Sequence, residues 1–166
     1  MDLRSIQQPL KQHYRDDPGA AVITLRAQAD STTVPTTCSV DIGRAVYEAE
    51  AHAGVGGSGG TPCSGDLLLG ALAACAQITC QMVAAASGIP LESASVAVEG
   101  ELDLRGTLGL DPQAPVGFRQ IQVDFDLRAP QASAEELTKL KERTERYCVV
   151  LQTLLSPPEI SVSFSG

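Results

Sequence analysis

LLLGALAACAQITCQMVAAASG, residues Leu67 to Gly88, is the stretch on which the reading of the fold turns. Leucine and alanine fill nearly every face, and Gly88 and Pro90 close it, so it reads as a central, largely buried helix. Ser64 is the expected N-cap, and Asp66 in the first turn complements the helix dipole. At 1.5 Å per residue, about 20 residues span roughly 30 Å, the width of a small domain. Cys75 and Cys80 lie in this helix. Five residues rotate a helix by about 140°, so these two thiols point to different faces and cannot pair with each other.

On either side the pattern changes from a period near 3.6 to a period of 2. Residues 20–30, 36–42 and 44–51 alternate as half-buried strands, and a glycine-rich loop, AGVGGSGGTPCSG, leads into the helix. That loop has no G-x-x-x-x-G-K-[ST] arrangement and no lysine, so it is not a phosphate loop. After the helix, residues 94–105 and 118–128 each put apolar residues on one face, joined by a long hairpin connection. Ser133-x-x-Glu136 is a capping box that opens a second long helix. Its apolar stripe runs through Leu137, Leu140, Thr144, Cys148, Leu151 and Leu155, and Pro157 and Pro158 end it. EISVSF, residues 159–164, reads as a last strand, and residues 2–12 as a short helix. The order predicts one α+β domain over 1–166 with mostly antiparallel pairing.

Composition bounds the function. The chain has 166 residues, 43% of them apolar, 4% aromatic, with no tryptophan and a formal net charge of -8. An acidic chain without clustered Lys and Arg does not offer a nucleic-acid surface. The N-terminus MDLRSIQQPLKQHYRDD lacks an apolar signal region, and the longest apolar run is too short to span a membrane. A cytoplasmic location and no membrane partner are expected. Five cysteines at irregular spacing, without C-x-x-C and with only two histidines, fit neither a disulfide framework nor a zinc site. In a reducing compartment such thiols are either inert core residues or redox-active ones. Cys148 lies on the inward stripe of the second helix. If that stripe packs on the first helix, Cys148 and Cys75 face each other.

The run GGSGGTPCSGDLLLGALAAC (residues 56–75), followed some seventy residues later by ERYCVV, resembles the OsmC/Ohr family of osmotically inducible and organic hydroperoxide resistance proteins. The resemblance covers nearly the whole chain, including the order of its elements. It implies an OsmC-like fold, an intertwined homodimer with antiparallel sheets around a long buried cysteine-bearing helix. It implies a thiol peroxidase that reduces organic hydroperoxides with Cys75 as peroxidatic and Cys148 as resolving cysteine, drawing on a thiol or dithiol reductant with no cofactor and no metal. It also implies an activating arginine in the N-terminal strand region, for which Arg44 and Arg26 are the candidates and Arg44 is preferred.

The chain departs from the family pattern in two places. A glutamate common ten residues before the peroxidatic cysteine is replaced by Gly65, beside Asp66. Asp66 is nine residues from Cys75, about 13 Å along a helix, so it acts on a thiol only in another subunit's site. The proline common after the resolving cysteine is Val149 here. The competing reading is a non-enzymatic dimer of the same fold that binds a small apolar ligand, with both cysteines as core residues.

Overall fold

The computed structural model describes residues 11–13, 16, 28–31, 37–41 and 46–164. The expected helix over 2–12 and strand over 20–30 lie mostly outside these residues, as do Arg26 and Arg44. Two units divide the chain: residues 1–70 with 98–122, and residues 71–97 with 123–166.

In the first unit, alternation produces three short strands, β1 (Gln28–Ser31), β2 (Thr37–Asp41) and β3 (Val46–Glu50), in the order β1-β2-β3. Both pairings are antiparallel, with Gln28 opposite Asp41 and Thr37 opposite Glu50. At the end of β3 the buried Glu50 carboxylate accepts hydrogen bonds from Ser58 N (2.9 Å), Ser58 Oγ (2.8 Å) and Thr61 N (2.9 Å). The glycine-rich loop is thus folded over one acid. These donors hold the Glu50 carboxyl down at about 2.

Helix α1 is Ser64–Ser87. It begins at Ser64 itself, so Ser64 is not the cap. Instead Asp66 reaches back and its Oδ2 accepts the Cys63 N–H at 2.8 Å. Gly88, with φ +73°, ends the helix in a Schellman turn: Ile89 N–H donates to Ala84 O and Gly88 N–H to Ala85 O. Beyond it run β4 (Ser93–Glu101), a one-turn α2 (Leu104–Thr107) and β5 (Gln120–Arg128). Glu92 N–H donates to Arg128 O and Arg119 N–H to Glu101 O, which makes β4 and β5 antiparallel.

The second unit holds a core of Cys80, Ala84, Ile89, Ala129 and Leu140, with Val83, Phe125, Leu127 and Leu137 packed against it. Helix α3 (Ala134–Tyr147) opens on the expected capping box of Ser133 and Glu136.

Three expectations need correction. Helix α1, expected to be largely buried, is covered along one stripe in this chain: Leu72, Ala76, Cys80 and Ala84 are buried, while Ile78 is 55% and Met82 39% exposed. By length and mean hydropathy (1.8) α1 would pass for a membrane span, yet this stripe sits in a protein core. The second helix is not continuous, because it breaks at Cys148 and restarts as α4 (Val149–Leu155). The last strand is absent: residues 157–164 adopt no regular structure, and Ile160, Val162 and Phe164 are exposed. A strand needs a neighbour's amides and carbonyls, and among the described residues none pairs with this segment.

Candidate active site

The second unit brings Cys75 and Cys148 together. Cys75 is midway along α1, half-buried, and Cys148 is fully buried at the junction of α3 and α4; both thiols are free. They lie within hydrogen-bonding contact of each other. Cys148 is pinned from both sides, its N–H donating to Thr144 O (3.0 Å) and its carbonyl accepting Gln152 N–H (2.9 Å). Its own backbone is extended, φ −73° and ψ 104°, and that turns the chain so the thiol faces α1.

The pair is electrostatically unequal. Burial pushes the Cys75 thiol up, but the Val150 N–H, the Cys148 thiol, the Thr79 hydroxyl and the Val149 N–H outweigh it, and the thiol ends below its ordinary value. Burial pushes Cys148 up. The amides of Leu151 and Val150 work against that, and the sulfur of Cys75 adds to it, leaving Cys148 above its ordinary value. Environments that drive two like groups apart assign the roles within the pair: Cys75 is the more acidic, more exposed thiol, and Cys148 the proton-holding, buried one.

The remaining sequence-derived candidates lie elsewhere. Asp66 sits in the first unit, where Cys63 N–H and then the Cys63 thiol hold its carboxyl down, with His52 helping. Arg44 and its alternative Arg26 fall outside the described residues. Among the described groups that lower Cys75 none is charged. Cys80 points into the core beside Thr144, and burial raises its thiol. Cys63, on the glycine-rich loop, is half-buried. Thr79 and the two valine amides were not read as site groups from the sequence. Thr79 lies one turn after Cys75, an i, i+4 relation legible in the sequence. The amides become visible only once the helix is known to break.

The family model for OsmC-like protein matches residues 57–163, which includes both cysteines. The chain belongs to the OsmC-like family. Its solved relatives agree in fold. An OsmC-like protein of Mycoplasma pneumoniae superposes with a TM-score of 0.67 at 18% identity, over 81% of this chain and 89% of that one. An organic hydroperoxide resistance protein of Elizabethkingia anophelis gives 0.60 at 17%, over 82% and 91%. One from Legionella pneumophila gives 0.59 at 20%, over 81% and 91%. At these identities the likeness of this OsmC-like chain to them is one of fold. No curated protein matches the sequence.

Proposed function

We propose that this OsmC-like protein is a cytoplasmic, homodimeric thiol peroxidase that reduces organic hydroperoxides. The observation that supports it is the meeting of two free thiols from helices far apart in sequence, one half-exposed and the other buried, with uncharged donors converging on the first. Cys75, as thiolate, attacks the outer oxygen of the hydroperoxide. The O–O bond breaks, the alcohol leaves with a proton, and Cys75 becomes a sulfenic acid. Cys148 then attacks that sulfur, a Cys75–Cys148 disulfide forms and water departs. An external thiol or dithiol restores both cysteines. Arg44 supplies the positive charge that further favours the Cys75 thiolate, and Asp66 acts from a second copy of the chain. The leucine- and alanine-rich wall of α1 favours a peroxide with an alkyl tail.

The test is one equivalent of an alkyl hydroperoxide followed by peptide mass spectrometry. The expected product is an intrachain Cys75–Cys148 disulfide, with dithiol-dependent turnover. Free thiols after excess hydroperoxide would leave a ligand-binding protein in place of an enzyme.

A further inference from the structure

The break at Cys148 costs backbone hydrogen bonds that an unbroken helix would keep, and one of the orphaned groups has a replacement partner. In a continuous helix Val149 N–H would donate to Glu145 O and Val150 N–H to Arg146 O. Here α3 ends with Cys148 extended, and the N–H groups of Val149 and Val150 turn to the sulfur of Cys75. The abandoned Glu145 carbonyl instead accepts a hydrogen bond from the side-chain amide of Gln152, Nε2 to O at 2.9 Å. The backbone of the same Gln152 bonds Cys148 O. One residue therefore ties both sides of the break.

We propose that Gln152 is a positioning residue: by capping Glu145 O it holds the α3–α4 break open, and so keeps two backbone N–H groups on Cys75 instead of in a healed helix. It touches neither substrate nor sulfur and acts through the backbone. Residues 134–155 have no other breaker at this point. Val149 follows Cys148, and valine is free to continue a helix. Without the Gln152 amide, the exposed Glu145 carbonyl is left to water, and recapture of the Val149 N–H becomes a competing state. The effect on chemistry rests on the peroxidase reading, whereas the effect on the Cys75 thiol does not.

The test is a double-mutant cycle of Gln152→Leu with Val149→Pro. Proline has no N–H to return to Glu145 and is preorganised for the first helical position, and the extended Cys148 suits the residue before it. In V149P the break needs no Gln152. The readout is the pH profile of iodoacetamide alkylation at Cys75, measured by peptide mass spectrometry, which needs no peroxidase activity.

In the wild-type background Q152L should move the midpoint up by about half a pH unit, roughly a threefold loss of thiolate at neutral pH. In the V149P background Q152L should move it no further. An unshifted profile in Q152L, or an equal shift in both backgrounds, overturns the proposal. Should Q152L fail to fold, rescue of folding in V149P/Q152L with a profile equal to that of V149P supports the proposal, and an unfolded V149P/Q152L or an unequal profile sinks it. Loss of peroxidase activity alone, with this cycle intact, would count against the proposed function and leave Gln152 its role.

Discussion

Two sulfur atoms in contact behave as one titrating system, and in this chain the environment has already divided the labour. Cys75 lies below and Cys148 above the ordinary thiol value. The rate of Cys75 with an alkyl hydroperoxide should rise with pH through a midpoint below that of a free cysteine and then level off, because only the thiolate attacks. A stopped-flow pH profile reads this, and a midpoint at or above the free-thiol value would contradict it. Cys75→Ser should abolish the reaction. Cys148→Ser should leave the first oxidation within severalfold, lose one donor to Cys75, stop turnover, and let Cys75 proceed to sulfinic acid. Cys80→Ser should keep turnover, because Cys80 lies in the core beside Thr144 and is not among the groups that act on Cys75. How much of this the sequence shows follows from the kind of interaction. Cys148 is legible from the periodic apolar stripe it lies on, whereas Cys75 is singled out over Cys80 only by the family resemblance of the run that ends at it, since the buried stripe of α1 carries Cys80. The inequality of the two thiols is not legible, because it arises from backbone amides freed at a helix break with neither Gly nor Pro to announce it.

At the scale of elements, capping decides where helices begin and end. The Ser133–Glu136 box is satisfied in both directions, with Ser133 N to Glu136 Oε2 at 2.8 Å and Glu136 N to Ser133 Oγ at 3.2 Å. Ser133→Ala should cost about 1 kcal/mol in urea unfolding; an unchanged midpoint would show that α3 is held by packing alone. The glycine-rich loop hangs on Glu50 in the same way. Its folded carboxyl, at about 2, lies well below the ordinary 4.5. The stability this supplies is therefore complete above the ordinary value and is lost as pH falls from about 4.5 towards about 2. Glu50→Gln should lower the melting temperature at pH 7 and flatten its dependence over that acid range. Equal melting temperatures for both proteins at pH 7 would remove the loop-anchoring role. The capping box was readable because its partners are three residues apart. Glu50 was not: its partners are eight and eleven residues on, and alternation alone marks it as one more strand residue. Ser64 is not the cap because Cys63 takes that position: its carbonyl accepts the Leu67 N–H and its own N–H is held by the Asp66 carboxylate.

At the scale of the whole molecule, the apolar pattern of the sequence asks for more cover than one chain supplies. Helix α1 buries the stripe from Leu72 to Ala84 and leaves Ile78 and Met82 on the outside. The alternating Ile160, Val162 and Phe164 stand unpaired, with Phe164 96% exposed. Both segments are legible in the sequence as apolar, and the expected homodimer is the arrangement that would give them the cover this chain alone does not provide. Burying a leucine- or isoleucine-sized side chain is worth about 1.5–3 kcal/mol, and this is the gain that would offset the cost of association in the proposed dimer. Self-complementary two-fold pairing is the commonest way for a chain to provide that cover. Sedimentation at micromolar concentration should therefore give twice the 17.3 kDa of one chain. Amides 159–164 should be protected from hydrogen exchange in the dimer and lose protection on dilution, as unpaired strand amides gain partners only across the interface. Ile78→Glu with Met82→Glu should shift the equilibrium to a monomer and lower the melting temperature, because two charges would have to be desolvated on association. The same variant should keep Cys75 and Cys148 able to form their disulfide, since both thiols come from one chain, while peroxide turnover falls as Asp66 of a second copy is lost. A 17.3 kDa species in the wild type, with residues 159–164 exchanging freely at every concentration, would refute the dimer and leave α1 an exposed apolar face on a monomer.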